Sequence, residues 1–213
     1  MNLNRPWMSR SDRRAWQSAR TLADLGHLMA DWLEGGIASW PGYAPNWGPD
    51  DETTDLVPTL AALCRSGFVT TGSQPGDTGP GVDGRMYEQR AVVDGLVTDR
   101  DLYGRIVAAA TAAGLLVTAH DPQTGTRGEP IDATMADGVT VTTFGHRLNR
   151  RDLRTIWPAR LIGEDAFTAV TSAVQLTIAT PEYGAAGQRL WDVLDAVTGR
   201  TATTAERYSG GAS

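Results

Sequence analysis

The residues best equipped for chemistry gather in "GFVTTGSQPG", residues 67–76. An apolar run, Phe68-Val69-Thr70-Thr71, breaks directly into Gly72-Ser73-Gln74-Pro75-Gly76. Hydroxyls, a carboxamide and free backbone N–H groups meet where the chain leaves an expected strand, a set that suits a small polar ligand carrying donors and acceptors. Strand alternation sends Thr70 toward a cavity and Thr71 to the opposite side. A bend at Gly72, with a positive φ, then returns Ser73 to the side of Thr70, and Gln74 closes the turn. The same residue types also build ordinary turns. A second polar cluster, "DDETTD" at 50–55, reads as an N-cap for the helix that follows it.

Other reactive groups narrow the chemistry. His27, His120 and His146 lack HxH or HExxH spacing, so no metal site is expected. Every one of the 19 basic residues is arginine. The absence of lysine excludes a pyridoxal-phosphate Schiff base, a lysine nucleophile and the Gly-Lys-Ser/Thr phosphate loop. No G-x-S-x-G elbow and no G-x-G-x-x-G fingerprint is present. Cys64 is the one cysteine, which excludes an internal disulfide and a thiolate zinc cluster; within Leu60, Leu63, Cys64 it reads as a small core residue. Trp16, Trp32 and Trp191 fall at core spacing in helices. Trp40 and Trp47 lie in a Pro/Gly-rich loop, where a ring can lean over a ligand or pack the loop itself.

These residues need elements to position them. Apolar spacing predicts one helix over 12–34, stopped by Gly35-Gly36, then the loop "SWPGYAPNWGPDDETTD". A helix over 55–65 ends at Gly67, and a strand at 68–71 leads into a Gly-rich loop. "MYEQRAVVDGLV", 86–97, alternates as one strand. Thr98 is the expected N-cap of a helix to residue 113. Strands are expected at 115–120, 139–144 and 175–180, a turn-rich segment between 121 and 137, and helices at 164–174 and 185–197. Strands mixed with helices without regular βαβ alternation predict an α+β fold, a single domain with a mixed, largely antiparallel sheet and flanking helices. Residues 1–11 are expected to be flexible, 12–199 to form a single ligand-binding domain, and 200–213 to be a disordered tail.

Bulk properties bound the partners. The 213 residues suffice for one domain with a real core. A net charge of −6 argues against nucleic acid. No apolar run is long enough to span a membrane, and the arginine-rich N-terminus has no apolar stretch behind it, so a cytoplasmic protein is expected.

Co-linear motifs then carry a resemblance. "LAALCRSGFVTTGSQPG" resembles the C-terminal, S-adenosylmethionine-binding regulatory domain of eukaryotic methylenetetrahydrofolate reductase. There a helix runs into Asn-Arg-x-Gly and a strand Ile-Leu-Thr-Ile-Asn-Ser-Gln-Pro. "GRMYEQRAVVDGL" resembles the family's Gly-Tyr-Val-x-Gln-Lys-Ala-Tyr strand, and "LMADWLEGG" its helix with a Leu-Ser-Gly end. "DGVTVTTFGHR" is similar to its Val-Thr-x-Gly-x-Phe strand, and "IATPEYGAAGQRLWDVLDAV" to its closing strand, loop, Leu-Trp and helix. The order is the same over residues 20–198. The chain is also similar to a family of actinobacterial and phage proteins with the same Ser-Gln-Pro-Gly core. The resemblance implies S-adenosylmethionine or S-adenosylhomocysteine as ligand. The family's Glu-Thr pair falls on Glu52 and Thr53, its strand threonine on Thr70, its serine on Ser73, and a later threonine on Thr140; a further threonine falls near 153–155 without a definite counterpart. Gln74 joins this set from the reading of the turn. The flavin-binding catalytic barrel of the reductase has no counterpart here, so the resemblance implies neither hydride transfer nor folate binding.

Three functions follow as alternatives. The first is a binding protein, a sensor or sponge for the cofactor, acting alone, as a homodimer or through a protein partner. The second is a small-molecule methyltransferase, with Tyr87, Glu182 or a histidine as base. The third is a protein-interaction module that has lost the ligand. The first and second are distinguished by whether a second cavity adjoins the ligand site.

Overall fold

A computed structural model of the chain describes residues 7–200. The expected tail from 201 onward and the first six residues lie outside that range. Within the segment expected to be flexible, residues 7–11 are described: Ser9 caps the first helix, its hydroxyl accepting from the Asp12 N–H, and Met8 is buried.

The expected helix over 12–34 is two helices, α1 (Arg10–Ser18) and α2 (Leu22–Leu33). A capping box makes the break. The Thr21 hydroxyl accepts from the Asp24 N–H at 3.1 Å, and the Asp24 carboxylate accepts from the N–H groups of Thr21 and Arg20, each at 2.9 Å. A 3₁₀ segment, Asp51–Leu56, leads into α3 (Val57–Ser66), which stops at Gly67 in a left-handed conformation, φ 102°. The strands β1 (Phe68–Gln74), β2 (Asp77–Pro80), β3 (Met86–Gln89) and β4 (Val92–Val97) follow. Then come α4 (Arg100–Ala112), β5 (Leu116–His120), β6 (Ile131–Ala136) and β7 (Val139–Phe144). The helices α5 (Arg150–Ile156), α6 (Ala159–Ile162) and α7 (Glu164–Ser172), the strand β8 (Val174–Ala179) and α8 (Gln188–Val197) complete the chain. Asp99, not Thr98, caps α4, accepting from the N–H groups of Asp101 and Leu102.

The fold is α+β, one domain with two antiparallel four-stranded sheets, ordered β1-β4-β8-β5 and β2-β3-β6-β7, and flanking helices. β1 pairs with β4 and β2 with β3, so these four strands form one long hairpin that bends from the first sheet into the second. The bend falls at Pro75-Gly76 on one arm and Arg90-Ala91 on the other, and it divides the single strand expected over 86–97. Side chains stitch this corner. The Gln74 carboxamide donates to the carbonyls of Arg90, at 3.0 Å, and Ala133, at 3.2 Å. The Arg90 guanidinium donates to the carbonyls of Asp132 and Thr180 and lies 3.9 Å from the centre of the Tyr183 ring. A Cβ on Gly76 would stand 2.3 Å from the Gly184 carbonyl oxygen, so only glycine fits there.

The helices bury Trp16, Leu25, Met29, Leu60, Leu63 and Phe167 with Phe68 of β1. Val92, Ala133 and Ala179 join the two sheets.

Replacing Gln74 by Met keeps the side-chain length and removes the amide, leaving the Arg90 carbonyl without its side-chain partner and the Ala133 carbonyl with the Arg90 N–H alone. Each unsatisfied buried group costs about 1–3 kcal/mol. The urea midpoint of Gln74→Met should fall accordingly with an unchanged slope; an unchanged midpoint would show that the corner holds without the clasp.

Candidate functional site

β1 stands at the edge of its sheet, so backbone groups not engaged by β4 face outward. Its register slips between Thr70, opposite Gly95, and Gly72, opposite Asp94, leaving Thr71 as an extra, bulged residue. The bulge breaks strict alternation: Thr70 and Thr71 both line a cleft along this edge, together with Gly72 and Ser73. Thr71, expected on the side opposite Thr70, borders this cleft and a second cavity as well. The reason expected for Gly72 is corrected: its φ is not positive; the turn is made by the bulge.

The opposite wall comes from α2 and the loop after it. Met29, Trp32 and Leu33 extend the apolar face of α2 past the core into the cleft. Residues 37–50 are packed by their own groups: the Ser39 hydroxyl accepts from the Asn46 N–H at 2.9 Å, and Trp32 Nε1 donates to the Trp47 carbonyl at 3.1 Å. This brings three rings together. Trp32 and Trp40 lie 5.3 Å apart between centroids, and Tyr43 stacks on Trp40 at 6.2 Å, inclined by 21°. The Tyr43 hydroxyl donates to Asp50 Oδ1 at 2.8 Å, which raises the phenol pKa. Asp50 and Thr53 close the cleft from the 3₁₀ segment. Its enclosed space is about 160 Å³. Trp40 Nε1 is buried with no hydrogen-bond partner, an open donor on one of the lining residues.

Three of the six residues expected at the site therefore meet here: Thr53, Thr70 and Ser73. The others lie elsewhere. Glu52 is exposed and does not line the cleft; the carboxylate that does is Asp50. Gln74 is spent on the corner between the sheets. Thr140 is exposed on β7 in the second sheet, its hydroxyl 3.3 Å from the Met135 sulfur. Thr70 is 6% exposed, and its hydroxyl lies 3.3 Å from Cys64 Sγ. Burial pushes the Cys64 thiol up to about 11, so it is a protonated core group beneath the cleft. Of the loop tryptophans, Trp40 lines the cleft, whereas Trp47 is 57% exposed outside it. Trp32 was expected in the core and Asp50 in a helix cap, and Tyr43 carried no assignment; none of the three was expected at the site. Their signal is an aromatic at the end of an apolar helix face, followed by a loop rich in Pro, Gly and rings.

Thr71 also borders a second, smaller cavity of about 20 Å³, room for about one water. It is lined by Asp94, His120, His146 and Thr177. Burial pushes the Asp94 carboxyl above the ordinary carboxylate range, opposed by hydrogen bonds from the Thr177 hydroxyl and the Gly145 N–H. His120 is 5% exposed; its Nε2 lies 2.8 Å from the Gly145 carbonyl, an acceptor, and its Nδ1 is buried without a partner. The Thr143 hydroxyl is 2.5 Å from His146 Nε2. Asp94 had a legible signal, a lone carboxylate inside the apolar strand "VVDGLV". Among the described residues no group of three or more His, Cys, Asp or Glu could hold a metal ion, and no helix is long and apolar enough to cross a membrane.

The folded chain holds the Asp94 proton more tightly than the unfolded chain does. Its contribution to stability is present below the unfolded carboxylate pKa, about 3.9, and is lost as pH rises through the higher folded value. Asp94→Asn should raise the melting temperature at pH 7, by about 2–4 °C for each kcal/mol of desolvation relieved, and flatten stability between pH 4 and 7. A variant that melts lower at pH 7 would mean that the carboxylate is needed in its charged form.

A family model described as "Domain of unknown function (DUF6919)" matches residues 11–200, and the chain belongs to that family. The match spans α1 to α8, the cleft and the Asp94 cavity alike. No curated protein matches the chain.

Proposed function

We propose that this chain binds S-adenosylmethionine or S-adenosylhomocysteine in the cleft at the β1 edge and serves as a sensor or sponge for it. One observation carries the reading: Thr53, Thr70 and Ser73, positions that the resemblance to the reductase regulatory domain assigns to the ligand, line one cleft although they come from separate elements. The surroundings suit the ligand in kind. Trp32, Trp40 and Tyr43 offer π faces to a sulfonium, an ammonium or an adenine. Asp50 offers a carboxylate to a cation. The enclosed space is smaller than the roughly 300–1,000 Å³ of pockets that engulf drug-sized ligands. The walls therefore grip one end of the molecule, and the remainder lies across the open edge of β1.

A methyltransferase is the second reading, favoured by the Asp94–His120–His146 cavity on the far side of Thr71. S-adenosylmethionine supplies an activated methyl group when bound; the chain's part would be to accept the acceptor's proton at His146 or His120 Nδ1. Calorimetry separates the two: a sensor discriminates between the methylated and demethylated forms, whereas an enzyme holds its product at least as well as its substrate.

Binding should stabilise the chain by roughly 2.7 kcal/mol at 100 times Kd, seen as a rise in melting temperature. Asp50→Asn keeps an acceptor for Tyr43 and removes the charge, so affinity should fall about tenfold or more, as expected for a lost hydrogen bond to a charged group. Glu52→Gln should leave affinity unchanged. No melting shift with either ligand at millimolar concentration would overturn the reading, and sensitivity to Glu52 in place of Asp50 would overturn this geometry.

A further inference from the structure

At the opposite edge of the first sheet from the cleft, beside β5, a groove of about 460 Å³ runs between the turn at 121–127 and α5. Arg127, Arg147 and Arg150 line it, all three exposed. None of them forms an ion pair among the described residues, whereas Arg20, Arg65, Arg85, Arg100, Arg189 and Arg200 all do. The one carboxylate in the lining, Asp121, is already held by Arg100 through two contacts of 2.6 and 3.1 Å. Three uncompensated cations thus share one concavity in a chain of net charge −6.

Their supports are fixed. Arg127 is bridged through its backbone to His120. Leu148, next to Arg147, is clamped by Gln175, which accepts from its N–H at 2.7 Å and donates to its carbonyl at 2.8 Å. The Arg150 guanidinium lies 5.0 Å from the centre of the Phe167 ring. The groove floor holds the buried residues Leu153 and His120, and so offers a surface for an organic body beneath a basic rim. Guanidinium groups match carboxylate and phosphate oxygens in geometry, and an anion bridging the three relieves their mutual repulsion.

We propose that this groove binds a small organic polyanion, a phosphate monoester or a di- or tricarboxylate, held by Arg127, Arg147 and Arg150. Nucleic acid is disfavoured because the positive surface is local while the chain as a whole is acidic. The site is separate from the cleft, so its failure leaves the cleft reading standing.

The test is calorimetry on the full chain at low ionic strength, with pyrophosphate and citrate as probes and a single-stranded oligonucleotide for comparison. At least one small anion should bind, and which of the two binds tighter assigns the phosphate or the carboxylate class. Arg127→Gln and Arg147→Gln, which break no ion pair, should leave the ligand-free melting temperature unchanged and each weaken that binding about tenfold or more. Arg147→Lys should recover part of the loss, which a purely structural role would not produce. Absence of binding by both anions at millimolar concentration, equal affinity in the double Gln variant, or tighter binding of the oligonucleotide would overturn the proposal.

Discussion

The rest of the structure depends on the corner at which the long hairpin turns from one sheet into the other. At Gly76 the backbone lies against Gly184 and Gly187 so closely that no side chain fits. Ladder hydrogen bonds stop there, and buried backbone groups must find other partners. Gln74 and Arg90 supply them, reaching carbonyls of Arg90, Ala133, Asp132 and Thr180. Besides that of Arg90 in the hairpin itself, those carbonyls come from β6 and from the end of β8, distant in sequence. Two side chains therefore tie the hairpin, the second sheet and the last strand of the first sheet at one place. Removing either side chain takes away two hydrogen bonds of that junction at once.

The cleft is a consequence of how that hairpin begins. β1 is an edge strand, and a bare edge invites pairing with another chain. Here α2 and the aromatic loop cover it instead of a strand. The bulge at Thr71 adds twist and turns neighbouring hydroxyls to the same side. The Trp32–Trp40–Tyr43 cluster is continuous with the core through Trp40, Trp157 and Trp16, whose centroids are 5.8 and 6.1 Å apart along the chain of contacts. The rings that face the ligand space are thereby positioned by the same packing that stabilises the helices, which pre-organises the wall at no separate entropic expense.

Much of this was legible in the residues. The start of β1 at Phe68, the strand "VTVTTF", the stop at Gly67 and the closing helix follow from residue type and punctuation, whereas β1 runs three residues past its expected end, through Gly72-Ser73-Gln74. The departures arise where local chemistry overrides period. The apolar spacing over 12–34 is continuous across Thr21, yet a capping box with Asp24 outcompetes helix continuation. The alternation over 86–97 is also continuous, but Arg90 turns its backbone to another sheet, and no periodicity records which sheet a strand joins. At the site, Thr70 and Ser73 were legible as hydroxyls at a strand end, whereas Thr53 was implied by the resemblance alone. Gln74 stands in the same polar stretch, and only the corner explains why its amide is spent. Asp50 and Glu52 are separated by two positions, and the 3₁₀ segment, not composition, selects which carboxylate reaches the cleft.

Charge is sorted across the first sheet in the order of its strands. At the β1 edge stand Asp50 and the π faces, which favour positive charge. Over β4 lies Asp94, which burial drives toward its neutral form, and over the β5 edge lie three unpaired arginines. Were Asp94 ionised, its field would reach both edges through a medium of low dielectric, strengthening the hold on a cation at one and weakening that on an anion at the other. Protonation removes this coupling. In that form, which burial favours, the carboxyl would still accept from Thr177 and Gly145, and the two edges would keep opposite and largely independent electrostatic preferences.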